Sequence, residues 1–140
     1  MESYKDLSIK PNYISKGEEN FAKAFLTPAL KVTRLYQRSV GFFSSSVLLP
    51  IIDGIVELAR QGGKIQLVAS PKLTEEDIEA IELGYRKREE AINNAFTRDF
   101  STELNAFDDA QLNLLASLIE MGVLDIKIVV TDALGMYHDK

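Results

Sequence analysis

Ile65 to Ala69 form a short apolar run set between Gly62-Gly63-Lys64 and Ser70-Pro71, and this punctuation constrains the fold more than any other feature. A run of that length, with glycines before it and a proline after it, reads as a strand. Leu35 to Phe43 is a second such run, with Tyr36, Val40, Phe42 and Phe43 as β-formers. Between the two, Ile51, Ile52, Ile55, Val56 and Ala59 recur at helical spacing, with Asp53, Glu57 and Arg60 on the opposite side. Ser44-Ser45-Ser46 supplies a cap for this helix, Pro50 fits only in its first turn, and Gly62-Gly63 ends it. Strand, helix and strand in this order make a βαβ unit with a right-handed crossover. The near-continuous apolar run at 65–69 predicts a strand buried on both faces of a parallel sheet.

The flanking segments extend this α/β pattern. Residues 1–14 have no clear period and read as an extended N-terminal arm. A helix is expected from Ser15, capped by Ser15 or Gly17, with Phe21, Ala24, Phe25 and Ala29 on one face and a kink at Pro28. Thr74 and Asp77 have capping-box spacing before a long charged helix whose stripe is Ile78, Ile81, Tyr85 and Ile92. Residues 96–107 are less regular. Asp108 or Asp109 is placed to cap a further helix with Leu112, Leu115, Ala116 and Ile119 inward, and Gly122 stops it. Leu124 to Thr131 reads as a third strand, 132–135 as a tight turn, and Met136 to Lys140 as a fourth strand, antiparallel to the third if the turn makes a hairpin. The expected architecture is α/β, a mixed sheet of about four strands flanked by helices, with residues 15–140 as one domain.

Composition excludes several classes. The chain is 46% hydrophobic and 26% charged over 140 residues, enough for one real core and unlike a disordered chain. No segment approaches the run of about 18–20 apolar residues that a membrane span needs. The N-terminus lacks the apolar core of a signal peptide, and the absence of cysteine fits a reducing compartment, so a cytoplasmic location is expected. One histidine and no cysteine cannot supply an ordinary zinc site; no metal and no cofactor are expected. The net charge of −5 argues against a wholly basic nucleic-acid binder. Two local basic clusters stand out, Lys31-Arg34-Arg38 and Arg86-Lys87-Arg88; solvated faces are the bland reading of both.

His138 is the only histidine, and Lys140 lies two residues on. In a strand the two share one face while Tyr137 and Asp139 take the other. A neutral imidazole can attack phosphorus while the lysine offsets charge on the phosphate oxygens. Taken alone, His-x-Lys is a weak signal. Ser44, Ser45 and Ser46 sit where a strand ends and a helix begins, the place where α/β folds hold anions; simple helix capping is the competing reading. Arg34 and Arg38 are candidates for contact with a nucleic-acid backbone.

The order Val40-Gly41-Phe42-Phe43-Ser44-Ser45-Ser46, then Gly62-Gly63-Lys64 through Ser70-Pro71, then Tyr137-His138-Asp139-Lys140 resembles the phospholipase D superfamily. It is most similar to the phospholipase D-like module that precedes DEAD/DEAH-type helicase or restriction-enzyme motors in large bacterial proteins. The resemblance spans roughly residues 20–140. It implies a metal-free, two-step phosphodiesterase reaction through a phosphohistidine, with His138 as nucleophile or acid and Lys140 as phosphate clamp. It also implies a homodimer whose two half-sites meet on a two-fold axis, and a nucleic-acid substrate. In that family the motif runs on past the lysine to an aspartate and a Gly-Ser/Asn segment, whereas this sequence stops at Lys140. The chain is therefore expected to be the N-terminal portion of such a domain, without robust catalysis on its own. A non-catalytic dimerisation or DNA-docking module is the alternative. A phospholipid-processing enzyme ranks last, since no Lys- and Arg-rich interfacial helix is present.

Overall fold

Leu35–Val40 (β1), Lys64–Ala69 (β2) and Leu124–Ile128 (β3) form a parallel sheet in the order β1-β2-β3. The computed structural model describes residues 3–14, 16–17, 20–93 and 106–130. The helices are Thr27–Lys31 (α1), Ile52–Arg60 (α2), Glu75–Asn93 (α3) and Ala110–Glu120 (α4). The α/β class and the parallel pairing agree with the sequence reading. The described sheet has three strands, all parallel, and the expected antiparallel fourth strand, which would make the sheet mixed, lies outside the described residues.

Among the described residues the sheet is covered on one face only. Along β2, Ile65, Leu67 and Ala69 are buried while Lys64 and Gln66 are exposed. This corrects the expectation of a strand buried on both faces. Its apolar run is broken by the polar side chain of Gln66, which points to the open face beside Gln37, the Gln37 Nε2 donating to Gln66 Oε1 at 2.8 Å. The covered face meets Leu58 and Ile55 of α2 and Leu115 and Ile119 of α4 in one core. At about 25 cal/mol per Å² of apolar area, burial of this core is the main stabilising term.

Glycines fix how tightly the layers approach. A Cβ on Gly54 would lie 2.9 Å from Leu30 Cβ and from the Thr27 carbonyl oxygen, so this residue sets the α1–α2 distance. A Cβ on Gly84 would meet the Ala116 carbonyl oxygen at 2.8 Å, so α3 and α4 touch backbone to backbone. The buried residues of α3 are accordingly Asp77, Ala80 and Gly84, with Ile81 and Tyr85 packed against the core as expected, whereas Ile78, also expected inward, is 38% exposed and the Ile92 side chain lies outside the described residues. Two helices end in the same device. Gly62 and Gly122 both adopt φ +72°, and the amides of Gly63 and Val123 reach back to the carbonyls of Leu58 and Leu118. Each cap satisfies the last helical carbonyls and turns the chain into the next strand.

The first helical segment differs from expectation. Ala22–Leu26 is a π turn that leads into α1. Pro28 has no N–H to offer the preceding turn, and the Thr27 amide donates instead to the Ala22 carbonyl. The core is met by Ala22, Leu26, Ala29 and Leu30, while Phe21 is exposed, stacks on Phe25 and meets Tyr13 edge-on. Ser15, one expected cap, lies outside the described residues. The arm is not wholly extended: Tyr4–Asp6 form a 3-10 turn capped by Ser3, and Tyr4 Oη lies 2.6 Å from Thr33 Oγ1.

Candidate functional site

All three strands point their carboxyl ends to one edge of the sheet, where open α/β folds place ligands. β1 stops at Val40, three residues short of the expected end at Phe43. The chain then bends, so that Phe43 enters the core at 4% exposure while Phe42 stands out at 63%. Instead of entering a helix directly, Ser45–Val47 and Leu49–Ile51 form two 3-10 turns before α2, and Pro50 sits in the second.

The three serines take different positions. Ser44 caps the first turn, its Oγ accepting from the Ser46 amide and lying 2.9 Å from Ser46 Oγ. Ser45 is buried to 1% exposure. Its amide donates to the carboxylate of Asp77, itself 2% exposed, at 3.4 Å. The amides of Val47 and Leu48 donate to the carbonyls of Ser44 and Ser45. The N–H groups of this turn are therefore engaged internally, and an anion arriving from solvent meets the hydroxyls of Ser44 and Ser46 instead. Asp77 shows why its expected capping-box role is only half made. Thr74 Oγ1 accepts from the Asp77 amide at 3.1 Å, but the Asp77 carboxylate turns to Ser45.

The two candidate arginines are separated. Arg38 lines the same cleft as Ser44 and Phe42, beneath which lies a cavity of about 40 Å³ walled by Val40, Leu48, Ile55 and Leu67. The Arg38 guanidinium has no ion-pair or hydrogen-bond partner among the described residues. Arg34 lies at the opposite end of β1, where its Nη1 donates to the Gln61 carbonyl at 3.3 Å. Arg38, Ser44 and Ser46 are thus brought together and Arg34 is not. His138 and Lys140 lie outside the described residues.

One feature of the site was readable as charge but not as a motif. Between Glu19 and Asp53 the chain carries Lys23, Lys31, Arg34 and Arg38 and no carboxylate, although the whole chain is at −5. This basic stretch contains β1 and the serine turn. The second basic cluster behaves differently. Arg88 donates from Nε to the Ile119 carbonyl at 2.6 Å, from Nη2 to the Leu124 carbonyl at 2.8 Å and from Nη1 to Asp125 Oδ1 at 2.6 Å. Lys87 pairs with Glu90. Arg88 is a structural clamp and Lys87 is paired, which leaves Arg86 as the exposed member of the cluster.

Among the described residues no group of three or more His, Cys, Asp or Glu side chains is placed to hold a metal ion, and no helix is long and apolar enough to cross a membrane. No family model, no curated protein sequence and no solved structure matches the chain.

Proposed function

We propose that this chain is the N-terminal portion of a phospholipase D-like phosphodiesterase module that acts on nucleic acid within a helicase or restriction-type protein. One observation carries the reading. The end of β1 and the Ser44–Ser46 turn set two hydroxyls and Arg38, which has no partner among the described residues, near the carboxyl edge of a parallel sheet, and β3 runs to that same edge just before the segment that holds His138 and Lys140. His138 follows Val130 by eight residues, a tether that reaches up to about 28 Å.

In this proposal the neutral His138 imidazole attacks phosphorus, the bond to the leaving oxygen breaks, and a phosphohistidine forms. A second histidine, from a paired half-site, protonates the leaving oxygen. Water then attacks the phosphohistidine and frees the phosphate monoester. Lys140 and the Ser44 and Ser46 hydroxyls offset charge on the non-bridging oxygens. Nucleic acid is favoured over phospholipid because the basic stretch around β1 suits a phosphate backbone.

The test is DNA cleavage in EDTA by the protein with the chain continued past Lys140. His138→Ala abolishes both cleavage and acid-labile phosphoprotein if the reading holds. A strict requirement for added magnesium overturns it. A second reading, a non-catalytic DNA-docking module, is favoured by one specific observation: the basic stretch lies wholly upstream of His138. That reading expects salt-sensitive DNA binding, unchanged by His138→Ala, with no cleavage.

A further inference from the structure

The two edges of the sheet differ. On β3, Val123 and Val129 exchange backbone bonds with β2, so Leu124, Ile126 and Ile128 face outward. α3 holds this edge. Tyr85 Oη serves both the amide and the carbonyl of Ile126, and Arg88 holds the Leu124 carbonyl. On β1, the Arg34 and Val40 carbonyls accept from β2, so Leu35, Gln37 and Ser39 face outward. The outward backbone groups of these three have no partner among the described residues. β1 also lacks a proline and keeps an unbroken register with β2, so it has neither a proline nor a bulge to blunt its edge.

We propose that β1 is the docking edge for β1 of a second copy of this chain, paired antiparallel about a two-fold axis at Gln37. The two sheets would then join into one. A head-to-tail contact, β1 on the second copy's β3, is blocked by Tyr85 and Arg88. Copies can therefore meet only β1 to β1, which closes a dimer and cannot grow a filament. The outward groups are symmetric about Gln37, so Leu35 falls opposite Ser39 of the partner subunit and every outward N–H meets a carbonyl. The side chains suit the same register. Gln37 already donates to Gln66 at 2.8 Å, and its Oε1 is placed to accept from Gln37 of the partner subunit, extending a glutamine ladder across the seam. Arg38, without a partner among the described residues, falls opposite the half-buried Tyr36 of the partner subunit, a cation–π neighbour. The proposal uses strand edges alone and does not rest on the phosphodiesterase reading.

The chain has no cysteine, so a single introduced cysteine can form only an intermolecular disulfide. In the proposed register, Gln37 and its two-fold mate are a hydrogen-bonded pair about 5.5 Å apart at Cα, within the range a disulfide spans. Ser39 and its mate are offset along the strand by about 14 Å. The expected result is a wild-type chain in concentration-dependent monomer–dimer equilibrium by sedimentation. Gln37→Cys should cross-link under mild oxidation at least tenfold faster than Ser39→Cys or Lys127→Cys, with unchanged circular dichroism. Equal rates for the three variants, or a monomeric wild type at all concentrations, overturn the proposal. So does concentration-independent protection of the Leu35, Gln37 and Ser39 amides in hydrogen exchange, which would show that an intrachain segment occupies the edge. If Gln37→Cys misfolds, the wild-type sedimentation and exchange results still decide.

Discussion

Tyr85 Oη accepts a hydrogen bond from the Ile126 amide at 2.9 Å and lies 3.2 Å from the Ile126 carbonyl oxygen, to which it donates. One phenol thus replaces both backbone partners that a neighbouring strand would bring. Arg88 stacks over the same ring, its guanidinium carbon 5.0 Å from the ring centroid, and takes the next carbonyl along β3. A hairpin strand paired with β3, as the sequence suggested for residues 136–140, would have to displace both side chains.

Tyr85→Phe leaves the Ile126 amide and carbonyl without a partner at a half-buried edge. The expected cost is about 1–2 kcal/mol, read as a lower midpoint in urea unfolding. The variant should also form species larger than a dimer in sedimentation, because β3 then becomes a second open edge.

Arg88 and Asp125 pair at 2.6 Å but should respond unequally to mutation. Arg88→Ala removes the donors for the Ile119 and Leu124 carbonyls as well as the ion pair, and should cost about 2–3 kcal/mol. Asp125 is 45% exposed in its side chain, so Asp125→Asn should cost less than about 1 kcal/mol. Equal losses in chemical denaturation would show that the ion pair, and not the carbonyl bonds, holds the clamp.

Gly84→Ala improves helix propensity by about 1 kcal/mol yet places a methyl 2.8 Å from the Ala116 carbonyl oxygen and from Ile119 Cβ. Overpacking wins, and a net loss of about 1–2 kcal/mol is expected in thermal or urea unfolding. A gain in stability would mean that α3 and α4 separate freely.

Thr27 Oγ1 is buried and has no hydrogen-bond partner among the described residues. Thr27→Val keeps the shape and removes the stranded hydroxyl, so stability should hold or rise by up to about 1 kcal/mol. A clear loss would show that the hydroxyl has a partner in solution.

On the proposed nucleic-acid reading, Arg38→Ala should weaken DNA binding and reduce the slope of log affinity against log salt by about one. Arg34→Ala should do less, since Arg34 lies at the far end of β1 and is tied to the Gln61 carbonyl. Fluorescence anisotropy across a salt series separates the two.

The sequence carried the order of elements well because its punctuation is local. Gly62 and Gly122 end helices by a left-handed cap that needs no distant partner, and Leu112, Leu115, Ala116 and Ile119 keep a clean helical period and are all buried. It failed where a tertiary contact decides the answer. The inward face of α3 is set by the close approach of Gly84 to α4, which buries Ala80 and Gly84 fully, keeps Ile81 and Tyr85 at the margin of the core and leaves Ile78 outside. The fate of Ser45 depends on Asp77, thirty-two residues away. Asp109 stands at the cap of α4 without a side-chain bond, and Asn113, which holds both the amide and the carbonyl of Phe107, gave no periodic signal. For the candidate site, the serine turn and Arg38 were legible, but their separation from Arg34 required the strand's length and direction.

The register of the sheet also sets an order of assembly. Leu35 pairs across to Lys64 through one helix, whereas Ile65 pairs with Leu124 only after α3 and α4 have been placed. Closing the longer loop costs more chain entropy, so the β1–β2 pair should form early and β3 should dock late. Until it docks, β2 shows a bare edge, and Tyr85 and Arg88 have nothing to hold. Nascent or refolding chains therefore pass through an interval in which the strand that is central in the finished sheet is the one most apt to join a stranger.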